Sequence, residues 1–543
     1  MKASALLAFG LVFGAAGAAQ ALEFKLLDKT LRLDLSEYGV TAYHLDNGNI
    51  APDNLPTSDP TGDNYFDWIN KFQADASWGN FTALLRLDSA LFLHAPEAGP
   101  DDRRIQQLLI NRYQSRVDLE KVAVAYQSRH FDVTLGDAYV TFGRGLVLSL
   151  RKVDELGIDT TLRGVNVTGR VAGLTVNGVA GFSNIVNVDP ATGRVAENPN
   201  DLIFGGRAEY RIGRWVVPGI DVSHIVYAQN FQRTFPQQSR DQVTSYSATL
   251  ELPYLWNHGA IYVEYAQQQQ LTTDLRKRTT AFYGSGSAYF GPVTLLVEYK
   301  DYRNYFPEPT SIDPTQAPEL ALSDSYTAAP TLERVQQLVL NNTDVAGGHA
   351  RIDVQVAPAV TPYASMAYFV DRTYHTRIYD PYAGIELRWQ DGRSRASVSG
   401  GYRLNRYDET EPLAGQTFQD VWHVEYDVNQ SLSTLYSIEL DGLHESHHDL
   451  QGARYLNWLE GQAYLSFKRA DSWALAVGYE YYTEAPETVR SNYVNATASW
   501  NVSRAVSLRL FVGGQRAGIK CVNGVCRNYP GFDGARLEVV AKY

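Results

Sequence analysis

Apolar and polar residues alternate with a period of two along most of this chain. Between 473 and 481, Trp473, Leu475, Val477, Tyr479 and Tyr481 share one face, against Ala474, Ala476, Gly478 and Glu480 on the other. The same alternation runs through 494–502, 506–512, 293–300 and 422–428, and through the final segment 535–543. There Ala535, Leu537, Val539, Ala541 and Tyr543 oppose Arg536, Glu538 and Lys542. A period of two turns successive side chains to opposite faces of an extended strand, whereas a helix would group positions three and four apart. Many of these segments run for about ten residues with aromatics towards their ends, the length at which a tilted strand crosses a bilayer.

The connections fall into two alternating classes. Short turns are expected near 78–80, 128–130, 171–173, 213, 253–257, 290–292, 357–360, 390–393, 430–431, 469–471 and 502–504. Between them lie mostly longer segments, at 46–64, 95–113, 139–158, 187–200, 229–242, 270–277, 305–344, 371–377, 408–415, 446–453, 485–489 and 518–533. A soluble sandwich has no reason to sort its connections this way, but a barrel with one end in the periplasm and one outside the cell does. The predicted fold is all-β: a large transmembrane antiparallel up-and-down β-barrel of about 24 strands (22–26), with short periplasmic turns and long extracellular loops. The strands begin by about Thr30, so residues 22–543 read as one barrel domain without a separate amino-terminal plug. The final strand, with Tyr543 at its end, resembles the C-terminal assembly signal of bacterial outer-membrane barrels. That resemblance implies the barrel-assembly machinery as a partner and outer-membrane lipid as the surroundings.

Residues 1–21, MKASALLAFGLVFGAAGAAQA, have a basic start at Lys2, an apolar run and a small-residue close. They read as a secretory signal peptide cut before Leu22, which predicts residence in the outer membrane of a Gram-negative cell. Composition agrees, because 35 Tyr and 9 Trp against 2 Met favour rings lying half in lipid and half in water. A net charge of −12 argues against nucleic acid as a partner. The two cysteines flank a tight-turn signal in Cys521-Val-Asn-Gly-Val-Cys526, which in an exported chain predicts a local disulfide.

One segment breaks the alternation. Residues 142–163, FGRGLVLSLRKVDELGIDTTLR, mix Leu146, Val147, Leu148 and Leu150 with Arg144, Arg151, Lys152, Asp154, Glu155, Asp159 and Arg163. These charges fit poorly against lipid, where each costs several kcal/mol near the midplane. The segment is therefore expected to fold into the barrel or cap its mouth, with Arg144, Arg151 and Arg163 pairing Asp154, Glu155, Asp159 or inward carboxylates across a wet gap. Leu135-Gly-Asp137, Phe142-Gly-x-Gly145-Leu-x-Leu148 and Leu156-Gly-x-Asp159-x-x-Leu162-Arg-Gly164 together resemble a segment of a poorly characterised family of porin-like bacterial outer-membrane barrels. The resemblance implies barrel and location, and no established activity.

Strand parity places Glu298, Glu425, Asp427, Glu439, Asp441 and Glu480 on the lumen wall, together with bases such as Lys300, Arg388, Arg403, Lys468 and Arg509. The expected function is a porin-like channel for small hydrophilic solutes or ions, constricted by residues 142–163, with no cofactor. The alternative is a sheath within a multiprotein complex, with a periplasmic or surface partner protein. An enzyme is the third class: His423 with Glu425 and Asp427 shares a face, but no catalytic motif accompanies them. His444, His447 and His448 are weak metal candidates at a loop edge, and no metal is assigned. Residues 332–340 carry the spacing of a short amphipathic helix.

Overall fold

The computed structural model describes residues 22–45, 64–95, 110, 113–154, 157–190, 194–195, 198–228, 242–271, 276–305, 326–328, 330, 344–372, 375–407, 416–451, 454–483, 490–522, 525–529 and 531–543. Side chains of 194, 270–271, 276–277, 407, 416–418, 451, 454, 518–522 and 525–529 lie outside that description. So do the expected signal peptide, Glu155 and the expected helix at 332–340.

Twenty-four strands, from Lys29–His44 to Phe532–Lys542, each run antiparallel to the next. The ring closes where the first pairs with the last, from Ser36 opposite Lys542 to His44 opposite Gly534. Closure leaves no edge among these twenty-four wall strands, so the wall satisfies its own backbone hydrogen bonds where no water can reach. A five-residue strand, Leu22–Leu26, forms a hairpin with the start of the first wall strand.

Ten of the expected short turns fall at or overlap a connection between paired strands, whereas 430–431 ends strand Gln416–Ser431 and its turn lies at 432–435. Tyr543 N donates to Leu35 O at 2.8 Å at that same end. Period two separates the faces as anticipated: Val477 is 58% exposed on the outer wall, whereas Glu480 is 5% exposed and faces the lumen. Near the short turns the outer wall carries contacting rings, with Phe81 4.9 Å from Tyr126 and Tyr126 5.3 Å from Phe131. Trp256, Phe290, Tyr436 and Trp500 continue the exposed aromatics round that rim.

Alternation fails usefully in one wall strand. Arg86 pairs with Lys121 but Leu87 pairs with Leu119, so Glu120 is an extra residue in strand Arg116–Gln127. Such a β-bulge opposes two residues to one and re-aims a side chain. Glu120 and Lys121 consequently both point inward and are buried.

Buried apolar residues sit inside the ring in two clusters. The larger joins Phe142, Leu146, Val147, Leu148 and Leu150 to inward residues from Val179 round to Ile378. The smaller joins Val188 and Val195 to Val40, Tyr65, Ile69 and Phe92 on the first three wall strands. Connections from the loop end thus fold into the lumen and give the barrel a core.

Candidate functional site

Strands Phe131–Ala138 and Thr161–Val171 are hydrogen-bonded neighbours in the wall, and the chain between them turns inward. Val140–Phe142 pairs with Leu148–Leu150 as a small hairpin. Gly145 makes its turn: its N–H donates to Phe142 O at 2.9 Å and its φ is +99°, a region other residues enter only with strain. Leu146 through Leu148 are wholly buried. Their carbonyls need partners away from water, and Tyr305 Oη donates to Leu146 O at 3.1 Å while Ser223 Oγ donates to Val147 O at 2.9 Å. Residues 326–328 from another connection complete the set, with Ser149 N donating to Tyr326 O at 2.7 Å and Ala328 N to Gly145 O at 2.8 Å.

This arrangement corrects the expected wet gap. The middle of the segment is dry, and its charges divide among separate partners. Exposed Arg144 donates its backbone N–H to Glu264 Oε2 at 3.1 Å and stacks its guanidinium 4.9 Å over the Tyr262 ring. Lys152 pairs with its neighbour Asp154 at 2.7 Å. Arg151 is half-buried, and burial alone holds its pKa below the usual arginine range. No pair forms among Arg144, Arg151, Arg163, Asp154 and Asp159 within the described residues.

Asp159 is the electrostatic anchor. Arg86 Nη1 donates to its Oδ2 at 2.6 Å, and Tyr139 Oη donates to its Oδ1 at 2.6 Å. Lys121 also donates to Oδ1 and reaches Tyr139 Oη at 2.9 Å. Burial raises the Asp159 pKa, but Lys121 and Arg86 outweigh it and bring the value down to about 2. Arg86 in turn holds Asp88 by two bonds of 2.7 and 2.6 Å, and Lys71 stands 3.6 Å from Asp88. The bulged Glu120 accepts from Asn187 N at 3.2 Å, tying the second inward connection to the same network.

Arg163 belongs to the wall rather than to the hairpin. It is the cross-strand partner of Asp137, and its Nε donates to Asp137 Oδ2 at 3.1 Å. Asp137 also accepts from Val122 N, Thr161 Oγ1 and Asn184 Nδ2 at 2.8–2.9 Å. Beside it Gly136 has a φ of +104°, and an added Cβ would lie 2.0 Å from Val122 O. Sequence reasoning missed Arg86, Asp88, Glu120 and Lys121. Their available signal was the adjacent pair Glu120-Lys121, which breaks the period of two in VDLEKVAV.

The remaining wall positions lie on the inward parity of their strands. Glu298 accepts from Tyr283 Oη at 3.1 Å and is buried. Glu480 accepts from Tyr464 Oη at 2.6 Å and Arg516 N at 3.0 Å. Glu425 lies 3.9 Å from His423, Asp427 lies 3.8 Å from Arg395, and Glu439 is paired with Lys468. Asp441 stands on the same inward parity. The three weak metal candidates do not converge. His447 points inward, whereas His444 and His448 point outward; His444 is held between Tyr426 and Tyr481 at 3.0 Å each. Backbone pairing sets Cys521 opposite Cys526, although their side chains lie outside those described.

A family of unknown function, DUF6029, matches residues 71–301 and 414–543. No curated protein matches the chain. Among solved structures, the P pilus usher (PapC) translocation pore is 10% identical with a TM-score of 0.37, over 94% of this chain and 99% of that one. The siderophore receptor PirA from Pseudomonas aeruginosa is 8% identical with a TM-score of 0.43, over 94% of this chain and 80% of that one. OccK11 (OpdR), also from Pseudomonas aeruginosa, is 10% identical with a TM-score of 0.35, over 82% of this chain and 99% of that one.

Proposed function

We propose that this chain, which belongs to the family of unknown function DUF6029, is a passive outer-membrane channel for small hydrophilic solutes or ions, narrowed by its own inward-folded connections. The observation that supports this reading is the contrast around the inner wall. From Val179 to Ile378 the wall is covered by the 140–150 hairpin and residues 326–328. Beyond it, inward Arg388, Arg395 and Arg509 remain 54–68% exposed, beside the carboxylates Glu386, Asp427 and Glu538 respectively. Charged side chains that keep their water inside a lipid-facing wall line an aqueous path.

Mixed charge keeps that path hydrated without a covalent step. The acidic excess of the chain, −12 overall, favours cations modestly because low-dielectric walls focus the field. Replacing residues 144–155 by a short Gly-Ser linker should raise single-channel conductance in planar bilayers while the barrel still shows heat-modifiable migration. An assembled variant with unchanged conductance and selectivity would remove the hairpin as the constriction. A variant that conducts nothing would transfer the function to a sheath around a separate protein.

A further inference from the structure

The inner wall near the loop end holds a second cluster, remote from the hairpin. Glu445 and His447 lie two residues apart in strand Tyr436–Gln451 and so share its inward face. Glu460, in the neighbouring strand Arg454–Arg469, is the direct cross-strand partner of Glu445. Two carboxylates opposite one another in a sheet repel unless a cation stands between them. His447 Nε2 faces both, 3.1 Å from Glu445 Oε2 and 3.5 Å from Glu460 Oε1. One ligand atom from each of the three residues falls within a 4.8 Å set.

Two neighbours hold this geometry. Trp458 stacks on the His447 ring, with centroids 4.7 Å apart and planes 9° from parallel. Arg516 Nη1 takes the far oxygen of Glu460, Oε2, at 3.0 Å, which leaves Oε1 turned towards His447. The backbone N–H of Arg516 also fixes Glu480. Counting Glu445, Glu460 and Glu480 against the one guanidinium of Arg516, the group carries a formal charge of −2 when His447 is neutral.

We propose that Glu445, His447 and Glu460 bind one first-row transition-metal dication. Bonds of about 2.0–2.2 Å to one imidazole nitrogen and two carboxylate oxygens set neighbouring donors roughly 3.0–3.5 Å apart, close to the spacing already present. One nitrogen with two oxygens suits Zn²⁺ or Mn²⁺ better than Ca²⁺ or Mg²⁺, which prefer oxygen throughout. A dication cancels the formal charge, and water from the lumen completes its coordination beside Glu460, whose side chain is 21% exposed. The site does not depend on whether the barrel conducts.

The test uses the whole mature chain in detergent, stripped with EDTA and dialysed, then titrated calorimetrically with ZnCl₂ and separately with MnCl₂. One saturable Zn²⁺ per chain is expected. His447→Ala should abolish it, and Glu460→Gln should weaken it on the order of 100-fold. His448→Ala, on the outward face, should leave it unchanged. Heat-modifiable migration checks that each variant is folded; should His447→Ala fail, His447→Gln and Glu460→Gln carry the same comparison. Zinc-edge X-ray absorption should show mixed nitrogen and oxygen ligation that loses its nitrogen component in the His447 variant. Absence of saturable binding, or an affinity indifferent to His447, would overturn the proposal and leave the cluster as an imidazolium bridge between two glutamates.

Discussion

Arg163 and Asp137 face each other across adjacent wall strands, with Nε 3.1 Å from Oδ2. The pair joins the two outer parts of the LGD…LRG motif at the point where the inward hairpin leaves and re-enters the barrel. Asp137 also accepts from three further donors and is buried, so its removal strands several polar groups at once. Asp137→Ala is expected to lower the unfolding free energy by about 3–5 kcal/mol, read as the shift of the urea midpoint of heat-modifiable migration. Arg163→Lys, which keeps charge but loses the planar fork, should cost less.

Asp159→Asn tests the anchor of the hairpin. It leaves Lys121 and Arg86 buried with one fewer negative partner, a change worth about 3 kcal/mol or more. Hydrogen exchange at residues 140–150 should accelerate while exchange in the wall strands stays slow. Uniform acceleration throughout the barrel would show that the network supports the wall and not the hairpin.

Acid should release the same contact. A carboxylate whose folded pKa is depressed contributes stability above its unfolded pKa and loses it as pH falls through the folded value. For Asp159 that window runs from about pH 4 down to about pH 2, and the contribution lost is on the order of 2 kcal/mol. Hairpin protection factors, with the intrinsic pH dependence of amide exchange divided out, should fall down this range in the parent chain and stay flatter in Asp159→Asn.

Gly145→Val probes the turn. The position has a φ of +99°, and an added Cβ would meet Ala328 Cβ at 3.0 Å. Backbone strain alone costs about 1–3 kcal/mol at such a position. The variant should assemble with its hairpin displaced, giving protease cleavage near 143–150 that the parent chain resists.

The 518–529 hairpin makes a chemical prediction. Cross-strand partners in an antiparallel ladder have Cα atoms about 4.5–5.5 Å apart, inside the range that a disulfide spans. Non-reducing digestion of protein extracted without reductant should yield a peptide linked through Cys521 and Cys526. Two freely alkylated thiols would refute the bridge.

The wall was legible in the sequence because its rule is local. A strand in a membrane barrel must show lipid to one face and the lumen to the other, so segments such as 473–481 display their orientation residue by residue. Turns at 171–173 and 290–292 were readable for the same reason, and closure followed from the need to leave no unpaired edge in lipid. The lumen obeyed no local rule. Whether Leu146 to Leu150 would meet water or a core depended on inward residues from Val179 to Ile378, which only closure brings to one side of the hairpin. Asp159 meets Lys121 because a single bulged residue turns both Glu120 and Lys121 inward, a shift that period-two reading cannot foresee. Alternation also separated His447 from His444 and His448, and cross-strand register gave it Glu460 instead. The sequence by itself determined which faces meet lipid, since that is settled within each strand. Tertiary structure decided which charges meet inside, because their partners lie tens to hundreds of residues away and are joined only by the register of a closed ring.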